Sequence, residues 1–236
     1  MDAVEPVTTR VRVGVDIGQR ADSTAIVVTE EQHRDGSDHY VARLIERLTL
    51  GTKYPVVADR VVQVVRNLEA RSQAREWIDG DFPIECWLDA TGVGLPVLDL
   101  IREQGVSAKA AIFTGSDKLV EHPDDVVSVG KSWMVGRLQV LLQADRLHLP
   151  ISAEAAVLIR ELQDYEITVN ERAHASFNAP SGKHDDLVIA LGLSVGAGKR
   201  YHGPASVTSW MASEYDDDDY RHPDYVPPWF AGNRLR

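Results

Sequence analysis

Three acidic positions in this chain stand at the ends of segments that the sequence predicts to be buried. They are Asp16, which closes RVRVGVD, Asp89, which closes IECWLD, and the pair Asp185 and Asp186, which opens DDLVIALGLSV. A carboxylate beside apolar strands is costly unless a cation or hydrogen-bond donors compensate its charge. Carboxylates are also the ligands that Mg²⁺ and similar cations prefer. The sequence therefore predicts a divalent-metal site built from these acids.

The elements that must position these acids alternate in a way that predicts an α/β fold. Val11, Val13 and Val15 alternate with polar or small residues, which is the period of a strand. The elements predicted next are strands at 24–29 and 40–50, a helix at 54–75, a strand at 84–88, a helix at 95–104 and a strand at 108–113. Three strands with short connections predict an antiparallel meander, and the strand–helix–strand alternation after them predicts a parallel section of sheet.

The remainder of the pattern adds helices and polar connections. Helices are predicted at 131–144, 153–164 and 184–197, a hairpin at 165–178, and polar loops at 31–38 and 114–128. Residues 1–10 are predicted to be a loose lead-in. Residues 199–236 contain Asp216–Asp219, several prolines and scattered aromatic residues, so we expect a poorly ordered tail.

Each acid also has a structural interpretation. An aspartate at a strand end, such as Asp16, is often a turn former, and this alternative stays open. Asp89 is predicted at the carboxyl end of a parallel strand, where α/β sheets place their sites. Because the next helix begins only near Leu95, a capping role for Asp89 is disfavoured.

The Asp185–Asp186 pair begins a helix that is apolar around most of its surface. The helix dipole stabilises acids in a first turn, which accounts for one of the two. Asp186 shares a face with the apolar residues three, four and seven positions later, so its carboxylate is predicted to point inward and to need a partner. Asp185 is the second choice, and His184 is either an auxiliary ligand or proton carrier, or a surface residue.

Composition limits the classes of function. With 236 residues, 44% of them hydrophobic, the chain fits one soluble domain with tails, or one domain plus a small appendage. It has no apolar run of membrane-spanning length and no apolar leader segment, and its one cysteine, Cys86, is predicted to be a buried, inert thiol. We therefore expect a cytoplasmic protein. The formal net charge of −11 argues against a protein that coats nucleic acid.

One apparent nucleotide-binding motif is a decoy. Gly130-Lys131-Ser132 resembles the end of a P-loop, but that motif needs a glycine five residues before Gly130, where Asp125 stands. Lys131 is better interpreted as the start of a helix, approaching a phosphate or the acidic cluster.

Three segments together resemble the nuclease domain of the phage large terminase subunit, a ribonuclease-H-like fold. They are VGVDIGQRADSTAIVV, WLDATGVGLPVLDLI and GKHDDLVIALGLSV. The resemblance covers residues 11–198 and implies a mixed sheet of three antiparallel strands followed by parallel strands, flanked by helices and with a small β-hairpin.

By that resemblance Asp16, Asp89 and Asp186 are a catalytic, metal-binding triad, with Asp185 nearby. They would hold two Mg²⁺ or Mn²⁺ ions and hydrolyse double-stranded DNA with little sequence specificity. Basic groups that could contact DNA are Arg137 and Lys183, with Lys109 and Lys118 as further candidates. The implied partners are a terminase ATPase motor, a portal and a small terminase subunit, in the host-cell cytoplasm. Because the chain contains no P-loop, we expect an excised domain or a separately encoded nuclease.

Three alternatives remain at this point. A Holliday-junction resolvase shares the fold and the metal chemistry. An actin-like or sugar-kinase-like phosphotransferase is suggested by VDIG and the later Ser23-Thr24, although such proteins generally need two related domains. The third alternative is a binding module whose acids have lost catalysis.

Overall fold

A computed structural model of the protein describes residues 7–18, 22–73, 83–116, 118–123, 125–164, 166–169, 175–178 and 184–196. All of these except Val169 and Ala175 belong to one compact unit. The predicted tail at 199–236, most of the predicted lead-in and Lys183 lie outside the described residues. None of the described helices is long and apolar enough to cross a membrane.

The described residues form ten strands and five helices. The strands are β1 (Val7–Asp16), β2 (Ala25–Arg34), β3 (Ser37–Arg47), β4 (Ile84–Asp89), β5 (Ala108–Thr114), β6 (Leu119–His122), β7 (Val126–Gly130), β8 (Leu147–His148), β9 (Glu166–Val169) and β10 (Ala175–Asn178). The helices are α1 (Tyr54–Gln73), α2 (Gly94–Glu103), α3 (Lys131–Gln143), α4 (Ala153–Asp164) and α5 (Asp186–Ser194).

Eight strands make one mixed sheet in the order β6-β7-β5-β4-β1-β2-β3-β8. Strands β1, β2 and β3 are antiparallel neighbours, whereas β1, β4, β5 and β7 run parallel to one another. The predicted meander followed by parallel strands is confirmed. Strands β9 and β10 pair in a separate two-stranded sheet, at the position of the predicted hairpin.

The loop predicted at 31–38 was wrong. Strands β2 and β3 continue through this segment and are joined at Asp35 and Gly36, whose φ angles are 48° and 81°. Two successive residues with positive φ make the tight turn that suits the twist of a hairpin. The polar side chains of this segment therefore belong to a continuous hairpin, in which Gln32 is buried.

The loop predicted at 114–128 was also wrong in its second half. Strands β6 and β7 form an antiparallel pair there, and β7 pairs in parallel with β5. Asp125, which precedes β7, has a φ of 59°, so a residue in the left-handed region makes the turn. Glu121 therefore lies in β6, the strand at the edge of the sheet.

Helices cover both faces of the sheet. Alternate residues of β1, namely Val11, Val13 and Val15, pack with α1 and α2 in one apolar cluster. The other face packs against α3, α4 and α5 in a second cluster. Gly14 faces α5, because a Cβ built there would lie 2.1 Å from the carbonyl oxygen of Ala190. Helix α5 therefore lies directly on β1, and only a glycine at position 14 allows this approach.

Candidate metal centre

The register of β1 and β4 places Asp16 beside Asp89. The last pair of this parallel ladder is Val15 with Leu88, so the two aspartates follow as the next residue of each strand. Side chains alternate between the faces of a strand. Since Gly14 touches α5 and Trp87 belongs to the same apolar cluster as α5, both aspartates face the layer of that helix.

Asp186 completes this arrangement from α5. It is the first residue of the helix and is 2% exposed. The pKa of Asp16 lies well above its ordinary value, chiefly because of burial and then because of the negative charges of Asp89, Asp186 and Asp185, while Lys131 opposes the rise. The structure thus brings the four predicted aspartates into one electrostatically coupled cluster.

Asp89 belongs to the same cluster but has local compensation. Burial raises its pKa, and Asp185 adds to the rise, whereas Thr91 and Lys131 lower it. The backbone N–H of Thr91 donates to Oδ1 of Asp89 over 2.8 Å. The turn after β4 is tight, since a Cβ at Gly94 would lie 1.9 Å from the carbonyl oxygen of Asp89. This turn fixes the direction in which the Asp89 carboxylate points.

Asp186 has the smallest exposed fraction of the four aspartates. Its pKa is raised to about 6, first by burial and then by Glu161 and Asp22, against the lowering effects of Arg47 and His184. Its Oδ2 atom is buried and has no hydrogen-bond partner among the described residues. A buried carboxylate oxygen without a donor fits a site that takes a cation.

The structure adds Asp22, which the sequence analysis missed. Asp22, His184 and Asp186 each present a ligand atom, and these three atoms all lie within 4.8 Å of one another. His184 Nδ1 is 3.3 Å from Asp22 Oδ1. The donor set of two carboxylates and an imidazole suits a divalent transition metal or Mg²⁺ with water in its shell.

The side chain of Thr24, just before β2, binds the backbone of Gly18, just after β1. Thr24 Oγ1 donates to the carbonyl oxygen of Gly18 over 3.0 Å and accepts from the Gly18 N–H over 3.2 Å. Asp22 follows Asp16 by six residues in a turn-rich segment where an aspartate is unremarkable. Only the return of α5 to this edge of the sheet shows that it lies near Asp186.

The predicted basic residues have different surroundings. Lys131 Nζ is 3.6 Å from Asp185 Oδ2, so this predicted auxiliary residue lies at the acidic cluster. Arg137 instead donates to the carbonyl oxygen of Val195 and to the hydroxyl of Tyr40. Val195 is nine residues beyond Asp186, about 13 Å along α5. The Arg137 guanidinium therefore joins α3 to the far end of α5, and its contact with DNA stays a prediction.

Several solved structures share this fold. The chain matches the large terminase nuclease from thermophilic phage G20c with a TM-score of 0.53 and 18% identity, over 80% of this chain and 81% of that one. It matches the large terminase nuclease domain of Thermus phage P74-26 with a TM-score of 0.53 and 17% identity, over 85% and 87%. The terminase nuclease domain of human cytomegalovirus gives a TM-score of 0.53 and 10% identity, over 86% and 88%.

The predicted ribonuclease-H-like fold is thereby confirmed, and it is the fold of these terminase nuclease domains. Structures of the G20c nuclease have been solved with bound magnesium and with bound cobalt, and crystals of the cytomegalovirus domain have been soaked in manganese. No protein-family model matches the sequence, and no curated protein matches it significantly.

Proposed function

We propose that this chain is a divalent-metal-dependent endonuclease that cuts double-stranded DNA with little sequence specificity, as the nuclease part of a viral DNA-packaging terminase. One observation carries the proposal. Asp16, Asp89 and Asp186 form a single coupled cluster at the carboxyl ends of the central strands β1 and β4, in a fold that is that of terminase nuclease domains. The charges of Asp89 and Asp186 raise the pKa of Asp16, and such repulsion between carboxylates opposes folding, so the cluster does not serve stability.

The residues fit a metal ion on the grounds of charge and geometry. Asp186 Oδ2 lacks a hydrogen-bond donor within the described part of the chain, and Asp22 and His184 face it. Asp16, which lies beside Asp89 and is coupled to Asp186, would be shared between two ions. Asp89 and Asp186, with Asp185 close by, would complete the two ligand sets.

Two Mg²⁺ or Mn²⁺ ions, when bound, would supply an activated water as nucleophile and stabilise charge on the leaving 3′ oxygen. The chain's own residues supply the rest. The Thr91 N–H holds one oxygen of Asp89 and so orients that carboxylate. The Lys131 ammonium group opposes the rise in the pKa of both Asp16 and Asp89, and it can donate to a phosphate oxygen of the DNA.

Little sequence specificity is expected, because phosphate contacts position a duplex without reading its bases. The proposal also assigns the context. A nuclease of this kind would act in the host-cell cytoplasm, with an ATPase motor, a portal and a small terminase subunit as partners. Residues 11–198 would form the nuclease domain.

The test is nicking and linearisation of supercoiled plasmid by the full chain in Mn²⁺, Mg²⁺ or EDTA. We expect cleavage with either metal and none in EDTA. Asp89→Ala should reduce the rate at least 100-fold, since it removes a ligand of the reacting centre. Asp99→Ala is the matched control, because Asp99 is an exposed acid on α2, and it should cut at the native rate.

The same preparation separates the alternatives. Preferential cutting of four-way junctions over linear duplex would favour a junction resolvase. Binding of ATP by the chain would favour a phosphotransferase. A folded chain that binds Mn²⁺ but cuts no DNA would contradict the proposal and favour a binding module.

A further inference from the structure

Asp186 belongs to a group of three charged side chains next to the candidate metal centre. Arg47 is the last residue of β3, Glu161 lies in α4, and Asp186 begins α5. The side chains of Glu161 and Asp186 are 9% and 3% exposed, and that of Arg47 is 26% exposed. One ion cluster therefore connects three separate elements at the edge of the candidate metal centre.

Glu161 is the bridge of this cluster. Its Oε1 accepts a hydrogen bond from Nη2 of Arg47, and its Oε2 accepts one from the backbone N–H of Leu187 over 3.1 Å. Leu187 is the second residue of α5, and its N–H is one that a capping side chain normally satisfies. Asp185, at the N-cap position, makes no such bond. A carboxylate from another helix therefore caps α5 beside Asp186.

Arg47 is shared between the two acids. Its Nε lies 3.5 Å from Asp186 Oδ2, yet neither atom has a hydrogen-bond partner among the described residues. Arg47 is thus close enough to compensate the charge of Asp186 but is bonded to Glu161. A buried ion pair is weak evidence for a contribution to stability, because desolvation costs about as much as the attraction returns. Its position beside a ligand acid suggests another role.

We infer that Arg47 and Glu161 are positioning residues for Asp186: Glu161 fixes the first turn of α5 and holds the Arg47 guanidinium back, so that Asp186 Oδ2 stays available to a divalent cation. This inference rests on the proposed metal-dependent function. Without the negative charge of Glu161, Arg47 has Asp186 as its one remaining acidic partner in the cluster and competes with the metal.

Calorimetric titration of Mn²⁺ into the full chain tests the inference without measuring activity. Glu161→Gln keeps an oxygen that can accept from Leu187 N–H but loses the charge. We expect its Kd for Mn²⁺ to rise about tenfold, while its unfolding temperature in EDTA falls by no more than about 5 °C. Glu154→Gln, an exposed change on the same helix, should bind as the native chain does.

A second variant separates positioning from a structural effect. Adding Arg47→Gln to Glu161→Gln removes the competing cation, so Mn²⁺ affinity should recover to within about threefold of the native value. If Glu161→Gln alone is too unstable to titrate, the test is the Kd of the double variant compared with that of the native chain. A folded double variant that binds Mn²⁺ ten times more weakly than the native chain overturns the inference.

The remaining outcomes are distinct. If the native chain binds Mn²⁺ and Glu161→Gln binds it with the same Kd, the positioning role is overturned and the proposed function stands. A double variant as weak as the folded single variant shows that Arg47 is not the competitor, and this also overturns the inference. A native chain that binds no Mn²⁺ overturns the proposed function, and the positioning role falls with it.

Discussion

Asp16 and Arg47 pair with the same residue, Ala25, from its two sides. Asp16 pairs with it across β1 and β2, and Arg47 pairs with it across β2 and β3. Neighbouring strands lie about 4.8 Å apart, so the two backbones are about 10 Å apart with one methyl group between them. Asp186 interacts electrostatically with both residues. Asp16, Ala25 and Arg47 thus form a row across three strands with an acid at one end and a base at the other, and Asp186 is coupled to both ends.

The stability of the metal-free chain should depend on pH through Asp186. Its folded-state pKa, about 6, lies above the ordinary value of 3.8, so the folded state binds this proton more readily than the unfolded state. Ionising Asp186 in the folded state therefore lowers the free energy of unfolding, by on the order of 3 kcal/mol. This cost is absent below about pH 4 and complete above about pH 6. In EDTA, Asp186→Asn should therefore be more stable than the native chain at pH 7.

Urea unfolding of both proteins between pH 4 and pH 8 measures this difference. The two free energies of unfolding should converge as the pH falls towards 4. A difference that stays constant across the range would show that Asp186 is not ionised at a cost in the folded state.

Gly14→Ala should damage the fold and the site together. The new Cβ would lie 2.1 Å from the Ala190 carbonyl oxygen and 2.6 Å from the Ser194 nitrogen, which are backbone atoms of α5. We expect a loss of about 3 kcal/mol and weaker Mn²⁺ binding, since α5 must move away from β1. Gly136→Ala is the control. Gly136 lies in α3, and a Cβ built there has no atom within 4 Å, so this substitution should stabilise the chain by up to about 1 kcal/mol.

Arg12→Met should destabilise the chain and leave the metal centre intact. Arg12 is 4% exposed and donates to Glu85 over 2.9 Å and to Glu31 over 2.5 Å. Removing one partner of a buried ion pair costs about 3 kcal/mol. Arg12 precedes Asp16 by four strand residues, about 13 Å, so the Kd for Mn²⁺ should not change. Arg66→Met, at an exposed position of α1, should alter stability by less than about 0.5 kcal/mol.

The effect of Arg12→Met should itself depend on pH. Burial alone would raise the pKa of Glu85, but Arg12 and then Arg10 outweigh it and lower the pKa below 4.5. This contribution to stability is present above the ordinary pKa and is lost as the pH falls through the folded-state value. The gap between native and variant free energies should therefore narrow below about pH 4.5, and a gap that widens there would contradict this account.

Asp22→Asn should raise the metal concentration needed for half-maximal cleavage about tenfold. Asp22 lies with His184 and Asp186 in one group of ligand atoms, and an amide is a weaker ligand than a carboxylate. Asp35→Asn is a fair control, because Asp35 is exposed in the β2–β3 turn at a positive φ that asparagine tolerates. If both variants need the same metal concentration for half-maximal cleavage, Asp22 is not a metal ligand.

The sequence was sufficient to find the acids that end regular elements. Asp16 and Asp89 follow clear strand patterns, and the apolar surroundings of Asp186 predict an inward carboxylate. Glu161 and Asp22 were missed for a physical reason: nothing local distinguishes them from the surface acids of an amphipathic helix and a turn. Their significance comes from the docking of α5, whose first turn receives the Glu161 bond to Leu187. Such long-range contacts leave no periodic signal in the sequence.

Cys86 offers a practical consequence of the way the sheet is buried. It is the one sulfhydryl in the chain, and it lies in β4 between β1 and β5, 1% exposed, with its pKa raised to about 12 by burial. A thiol of this kind reacts with a disulfide reagent only when the strands around it separate. Its rate of modification therefore reports how often the central sheet opens. A cysteine introduced on the surface could also be labelled with a fluorophore without labelling of Cys86.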